Sequence, residues 1–239
     1  MEKTMTVKSI LTELKKLGNE QTKKTLMRHG AVEPLFGVKI GDMKGLVKAG
    51  KNNHALALEL YDTGNSDAQY LAALIADKDA VSKAELNKWM KAAPWRLIAN
   101  SAVATLAAES QYAMAVAEKW IESKSELIAS GGWSTITHYI SIAPNEELDD
   151  ATFEALLKRV ISEIHEERNE VKAAMNGYLI AVGSYLPSLT RRAKAAAKKI
   201  GTVMVDKGNT GCKTPDALLY LEKIEKMDRV GWKRKRARS

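Results

Sequence analysis

Two tryptophans stand where the sequence predicts helices to begin: Trp95 beside Arg96 and just after Pro94, and Trp133 just after Gly131-Gly132. The free amides of a helix N-terminus favour phosphate, while indole and guanidinium faces pack on sugars and bases, so this grouping suits nucleic-acid contact. Trp89 and Trp120 close their helices amid apolar neighbours and read as core. Metal and triad chemistry find no support. His29, His54, His138 and His165 are scattered without HExxH spacing, and the lone Cys212 offers neither a disulfide nor a thiolate cluster. Cys212 lies in Gly208-Asn209-Thr210-Gly211-Cys212-Lys213-Thr214-Pro215, which lacks the GxxxxGK[ST] spacing and a preceding strand. That segment reads as a turn leading into a helix from Asp216 to Met227. No metal and no cofactor are expected.

The elements that must position these side chains are helical. Val7, Ile10, Leu11, Leu14 and Leu17 make one apolar stripe; Ile40, Met43, Leu46 and Val47 make a second; Tyr70, Leu71, Leu74 and Ile75 make a third. Gly18 stops the first helix, Asn65-Ser66-Asp67 opens one, Ser82 with Glu85 forms a capping box, and Pro94 suits the first turn of another. About a dozen helices are predicted, in pairs. Trp89 closes a short helix before a longer one running from Trp95 to about Ala108. Trp120 closes another before the helix of Trp133, which ends near Ala143. A third pair spans Asp149 to Arg168 and Val171 to Tyr185, with Gly177-Tyr178 placed near the front of its second helix. Trp95 and Trp133 are 38 residues apart and Trp133 and Tyr178 are 45 apart, close to the repeat of about 40 to 47 residues in HEAT and armadillo stacks. The expected fold is all-α, a superhelical stack of HEAT-like helix pairs (an α-α solenoid) over residues 1–230, with a plain helical bundle as the alternative.

The 239-residue chain is 45% hydrophobic and carries a net charge of +8, but that charge is sorted. Residues 190–239 hold fifteen basic and five acidic groups, residues 101–170 sum to −8, and residues 1–100 sum to +5. Segregation of this kind suits a polyanion partner met by particular surfaces, although a solvated surface with a basic tail has the same pattern. Residues 231–239 contain five cations, among them Lys233, Arg234, Lys235 and Arg236. This run reads as an unstructured C-terminal tail whose removal weakens phosphate contact and leaves stability unchanged. No apolar run approaches the roughly 18 residues needed to cross a bilayer, and residues 1–10 lack a signal core, so a cytoplasmic protein is expected, nucleoid-associated if the source is bacterial.

The order of elements carries a resemblance to a known family. Arg28-His29-Gly30 followed by residues 37–44 (GVKIGDMK), the segments Leu58-Glu59-Leu60-Tyr61 and 67–72 (DAQYLA), and residues 172–178 (KAAMNGY) resemble the AlkD-like DNA alkylation repair proteins over nearly the whole chain. The resemblance implies a HEAT-like solenoid cradling duplex DNA in a basic concave groove. Its characterised glycosylases excise N3- and N7-alkylpurines without flipping the base, using two tryptophans and an aspartate.

Only part of that apparatus is matched here. The first family tryptophan falls on Trp95, but the aspartate expected four residues later is Ala99, with Asn100 adjacent. The second falls on Tyr178 after Gly177, and the family's backbone-contacting arginine has no counterpart near Gly132-Trp133-Ser134. Loss of a cationic base leaves positive charge on the deoxyribose, which a nearby carboxylate stabilises; Ala99 and Asn100 supply none. Glu109 is the one acid on the Trp95 helix and lies about 21 Å along it, leaving Asp42, Asp62 and Asp67 as other sources.

The sequence therefore predicts a duplex-DNA-binding protein whose N-glycosylase activity is weak, altered or lost and whose catalytic residues are unknown. Its expected contacts are Trp95, Arg96, Asn100, Trp133, Lys172, Asn176, Tyr178 and Lys233 through Arg236. The alternatives are an active alkylpurine glycosylase, or a solenoid scaffold for a protein or RNA partner.

Overall fold

The computed structural model describes residues 5–208 and 210–238; residues 1–4, Asn209 of the Cys212 loop and Ser239 of the basic run lie outside the described residues. The helices are α1 (Val7–Leu17), α2 (Glu20–Arg28), α3 (Lys44–Gly50), α4 (His54–Asp62), α5 (Ser66–Ile75), α6 (Lys83–Ala92), α7 (Ala104–Glu109), α8 (Ala113–Ile121), α9 (Glu126–Ile142), α10 (Asp150–Glu163), α11 (Asn169–Tyr185), α12 (Thr190–Ile200) and α13 (Ala217–Lys226). A π-helical segment, Ile98–Val103, leads straight into α7. The described residues contain no strand, and no helix among them is long and apolar enough to cross a membrane.

Local chemistry sets most boundaries. Ser82 accepts from the Glu85 amide while the Glu85 carboxylate takes the Ser82 amide, and Asn65 accepts from the amides of Asp67 and Ala68, so both starts satisfy otherwise orphaned donors. Gly18 ends α1 and Asp216 caps α13, both where the sequence places them. The apolar stripe at Ile40 to Val47 forms a 3₁₀ turn, Ile40–Met43, before α3.

Helices α5, α7 with its π-helical segment, α9 and α11 lie side by side in one row, continued by α13. Helices α4, α6, α8, α10 and α12 back that row, so the molecule is a solenoid of helix pairs in which each pair packs chiefly on its neighbours. Its apolar core divides into an N-terminal cluster holding Trp89 and Trp95 and a C-terminal one holding Trp133 and Tyr178.

Gly131-Gly132 does not start a helix. It lies inside α9, which begins at Glu126, and the reason is packing: a Cβ on Gly132 would stand 2.7 Å from the Ile121 amide nitrogen, and one on Gly131 would stand 2.5 Å from the Met90 Cε. The two glycines let α8 and α6 approach α9, so Trp133 is carried to mid-helix and into the core. α11 likewise begins at Asn169, which places Tyr178 in its middle.

Candidate nucleic-acid interface

The tryptophan-rich set divides on burial. Trp133 and Tyr178 are both 0% exposed and meet edge to face with ring centroids 5.1 Å apart, and the Tyr178 hydroxyl donates to the Phe153 carbonyl at 2.7 Å. They form a packed core pair, not a nucleotide clamp, because apolar residues of facing helices enclose both rings. Asn176 is also buried, and its Nδ2 donates to the Pro215 carbonyl, tying the loop before α13 to α11. Trp89 stacks on Tyr61 at 4.2 Å, and the Trp120 indole donates to Asn87, so both are core as the sequence predicts.

Trp95 is 5% exposed, packed in the N-terminal cluster and forming part of the wall of a small cavity that Tyr70 and Asp67 also line. Trp95→Ala is expected to lower stability by about 3 to 5 kcal/mol through the cavity it leaves. A urea titration measures this; an unchanged midpoint would show that the indole is not packed. Arg96 is half-buried and spends its Nε on the His29 carbonyl and an Nη on the His29 ring, fastening the end of α2. Lys172 is half-buried on α11.

The position of the missing acid is buried. Ala99 is 0% exposed, and the Asn100 Oδ1 accepts from Ser130 at 3.0 Å. The Asn100 carbonyl meets His138 Nε2 at 3.1 Å. Burial pushes the His138 pKa down to about 4; this carbonyl and Glu109 work against the fall and Arg234 adds to it. An unfolded chain therefore takes up this proton more readily than the folded one. The His138 contribution is whole above about pH 6.5 and is lost as pH falls toward 4, by on the order of 3 kcal/mol. His138→Gln should flatten stability across that window, read by denaturant melts at several pH values; an unaltered slope would exclude His138 as its source.

Of the other candidate carboxylates two are committed: Asp67 accepts from the backbone amides of Phe36, Gly37 and Val38, and Asp62 pairs with Lys88. Asp42 is exposed to solvent on the 3₁₀ turn before α3, outside any dry site. Glu109, at the end of α7, is spoken for by the C-terminal run.

That run is a strap, which the composition alone does not reveal. From Gly231 to Arg238 it crosses the C-terminal ends of α11, α9, α7 and α5 in turn. The Gly231 amide donates to Ser184, the Arg234 amide to Ser141, and Lys233 Nζ to Ile140. Both the Ala237 and Arg238 amides donate to Glu109, the Arg238 Nε holds the other Glu109 oxygen at 2.7 Å, and its Nη1 reaches the carbonyls of Ala73 and Ala76. The last carbonyls of a helix lack intrahelical partners and carry the negative end of its dipole, so a cationic chain is held by such carbonyls at the ends of α11, α9 and α5 and by the Glu109 carboxylate at the end of α7. The expectation of an unstructured tail is thereby corrected. Burial lowers the pKa of the anchoring Lys233, with Glu146 opposing. Arg234, Lys235 and Arg236 stay exposed, as does Trp232 at 65%, with the Arg229 guanidinium over its ring at 5.7 Å. Trp232, absent from the sequence-derived set, is an exposed indole beside those cations.

The DNA alkylation repair enzyme family matches residues 10–218 of this chain. The chain belongs to that family. Two relatives are similar over most of their length: the uncharacterised proteins Lin0241 of Listeria innocua and Lmo0209 of Listeria monocytogenes are 36% and 35% identical over 218 residues, 89% of this chain and 94% of each relative. A solved structure, described as a new family of proteins related to the HEAT-like repeat DNA glycosylases with affinity for branched DNA structures, superposes with a TM-score of 0.91 at 36% identity, covering 97% of this chain and 98% of that one. The HEAT-like architecture of this alkylation repair family member is thus shared along essentially its whole length. Among its described residues no group of His, Cys, Asp and Glu is arranged to hold a metal ion.

Proposed function

We propose that this alkylation repair family member binds DNA, branched as well as duplex, along the face that carries the strap, and that its base-excision activity is weak or lost. The strap is the observation that supports the first part. It fixes Arg234, Lys235 and Arg236 in place on the solenoid, so phosphate contact costs less ordering than it would with a free tail. Trp232 adds a face on which an unpaired base at a junction can stack, and the solved relative's affinity for branched DNA agrees with that use. Of the residues expected from sequence, Trp95 and Arg96 lie at the start of the helix that meets the strap at its far end and are committed to the fold, Asn100 is bonded to Ser130, and Lys172 stands in the first turn of α11, away from the strap.

The second part rests on charge. A developing deoxyribose cation needs a carboxylate held in the dry part of the site. Ala99 has none, Asn100 is neutral, and Glu109, Asp62 and Asp67 are engaged elsewhere. The test pairs two measurements on the same preparation: anisotropy titrations with a four-way junction and a matched duplex at several salt concentrations, and release of N7-methylguanine and N3-methyladenine from methylated DNA. Binding to both DNAs with release at the spontaneous rate is expected. Rapid lesion release would overturn the loss of excision, and failure to bind either DNA would overturn the nucleic-acid reading in favour of a scaffold.

A further inference from the structure

The strap's far end does more than hold on. Between α3 and the docked segment lies an open cleft of about 530 Å³ whose rim is formed by Lys44, Lys48 and Lys51 on one side and Arg236 on the other. The three lysines follow at intervals of four and three residues, so they share one face and make a row about 10 Å long. All three, with Arg236, are exposed, and none of the four forms an ion pair among the described residues. Glu109 is the one carboxylate lining the cleft, and Arg238 together with two strap amides saturates it. Four cations therefore face a shared space with no free counter-charge. Such an arrangement is self-repelling until an anion enters, and its extended shape suits a polyanion: successive phosphates of one DNA strand stand further apart in space than the axial rise of about 3.4 Å, because the strand winds, so a row of this length spans about two of them and the reach of the lysine side chains takes in a third.

We propose that this cleft is a composite site for consecutive phosphates of a nucleic-acid backbone, built from both ends of the chain and complete only while Glu109 clamps Arg238. The inference rests on the nucleic-acid reading above and adds to it a second contact surface and a dependence on strap docking. Linkage makes that dependence reciprocal: backbone phosphates in the cleft hold the strap down, and a released strap weakens the lysines' grip.

Salt-dependent binding to the four-way junction tests the site, because each neutralised phosphate contributes about 0.9 to the slope of log affinity against log salt. K44Q/K48Q/K51Q changes exposed groups only and is expected to flatten that slope by about 2 to 3. The charge-matched R191Q/K198Q/K199Q on α12, outside the cleft, is expected to flatten it by less than 1 on the same scale of about 0.9 per contact. In an Arg238→Ala background the three lysine changes should cost about 1 or less, since Arg236 is no longer held opposite them. Glu109→Gln repeats the release with a neutral side chain of the same shape, so the coupling is measured even where Arg238→Ala folds poorly. An unchanged slope for the α3 variant, or an equal loss for the α12 control, overturns the site while leaving wild-type DNA binding intact. Equal lysine effects with the strap docked and released overturn its composite nature. Absence of wild-type binding overturns the nucleic-acid reading itself, and this site with it.

Discussion

Truncation after Val230 is expected to lower the unfolding free energy by about 3 to 5 kcal/mol, because it strips the partners from a buried carboxylate. The side chains of Glu109 and Arg238 are only 9% and 12% exposed while the strap is docked, so truncation removes a shielded ion pair and two strap amides from Glu109 and frees the carbonyls of Ala73 and Ala76. For a chain of this size the midpoint of thermal unfolding should fall by roughly 10 °C. The same truncation should flatten the salt dependence of DNA binding, since Arg234, Lys235 and Arg236 leave with the strap. Glu109→Gln introduced into the truncated chain should recover part of the stability, because a neutral amide is cheaper to bury than a carboxylate. Calorimetry of the full, truncated and truncated-plus-Gln chains decides the matter. A midpoint insensitive to truncation would show the strap to be undocked in solution, and the composite cleft would fall with it.

The contrast between strap and tail shows where sequence reasoning reaches its limit. Ser82 with Glu85, Asn65 and Asp216 act on amides two or three residues away, and such local signals are readable from the chain. The paired helices and their spacing are similarly local, which is why the solenoid was legible. Arg238 instead finds acceptors on Glu109, 129 residues earlier, and on Ala73, 165 residues earlier. Nothing in Lys-Arg-Lys-Arg distinguishes that destination from solvent. Gly131-Gly132 failed for the same reason: a glycine pair marks a break when read alone, and becomes a close-packing device only when Ile121 and Met90 arrive against it. Trp133 and Tyr178 have a spacing that serves a core as well as a contact face, and the Phe153 carbonyl that receives the tyrosine hydroxyl comes from a different helix.

Restoring a carboxylate near Trp95 should separate two adjacent positions sharply. Ala99 matches the family's acid by spacing, yet it is 0% exposed on the π-helical segment, packed against the interior of the N-terminal cluster. Ala99→Asp places an unpaired carboxyl among apolar groups and is expected to cost more than about 3 kcal/mol. Burial raises the pKa of such a group, so the loss should be smallest near pH 4 and grow as pH rises and ionisation is demanded. Asn100→Asp is the gentler change. Asn100 is half-buried, and a carboxylate oxygen there can still accept from Ser130 as the amide oxygen does. It should fold with little loss and, if DNA passes over the π-helical segment, raise N7-methylguanine release above the wild-type rate by stabilising the sugar cation. Denaturant melts of both variants at pH 4 and pH 7, run beside the base-release assay, give the answer. An Ala99→Asp protein that is as stable as wild type at pH 7 and gains release would mean that this position faces the DNA, and would put the catalytic register back where the family spacing has it.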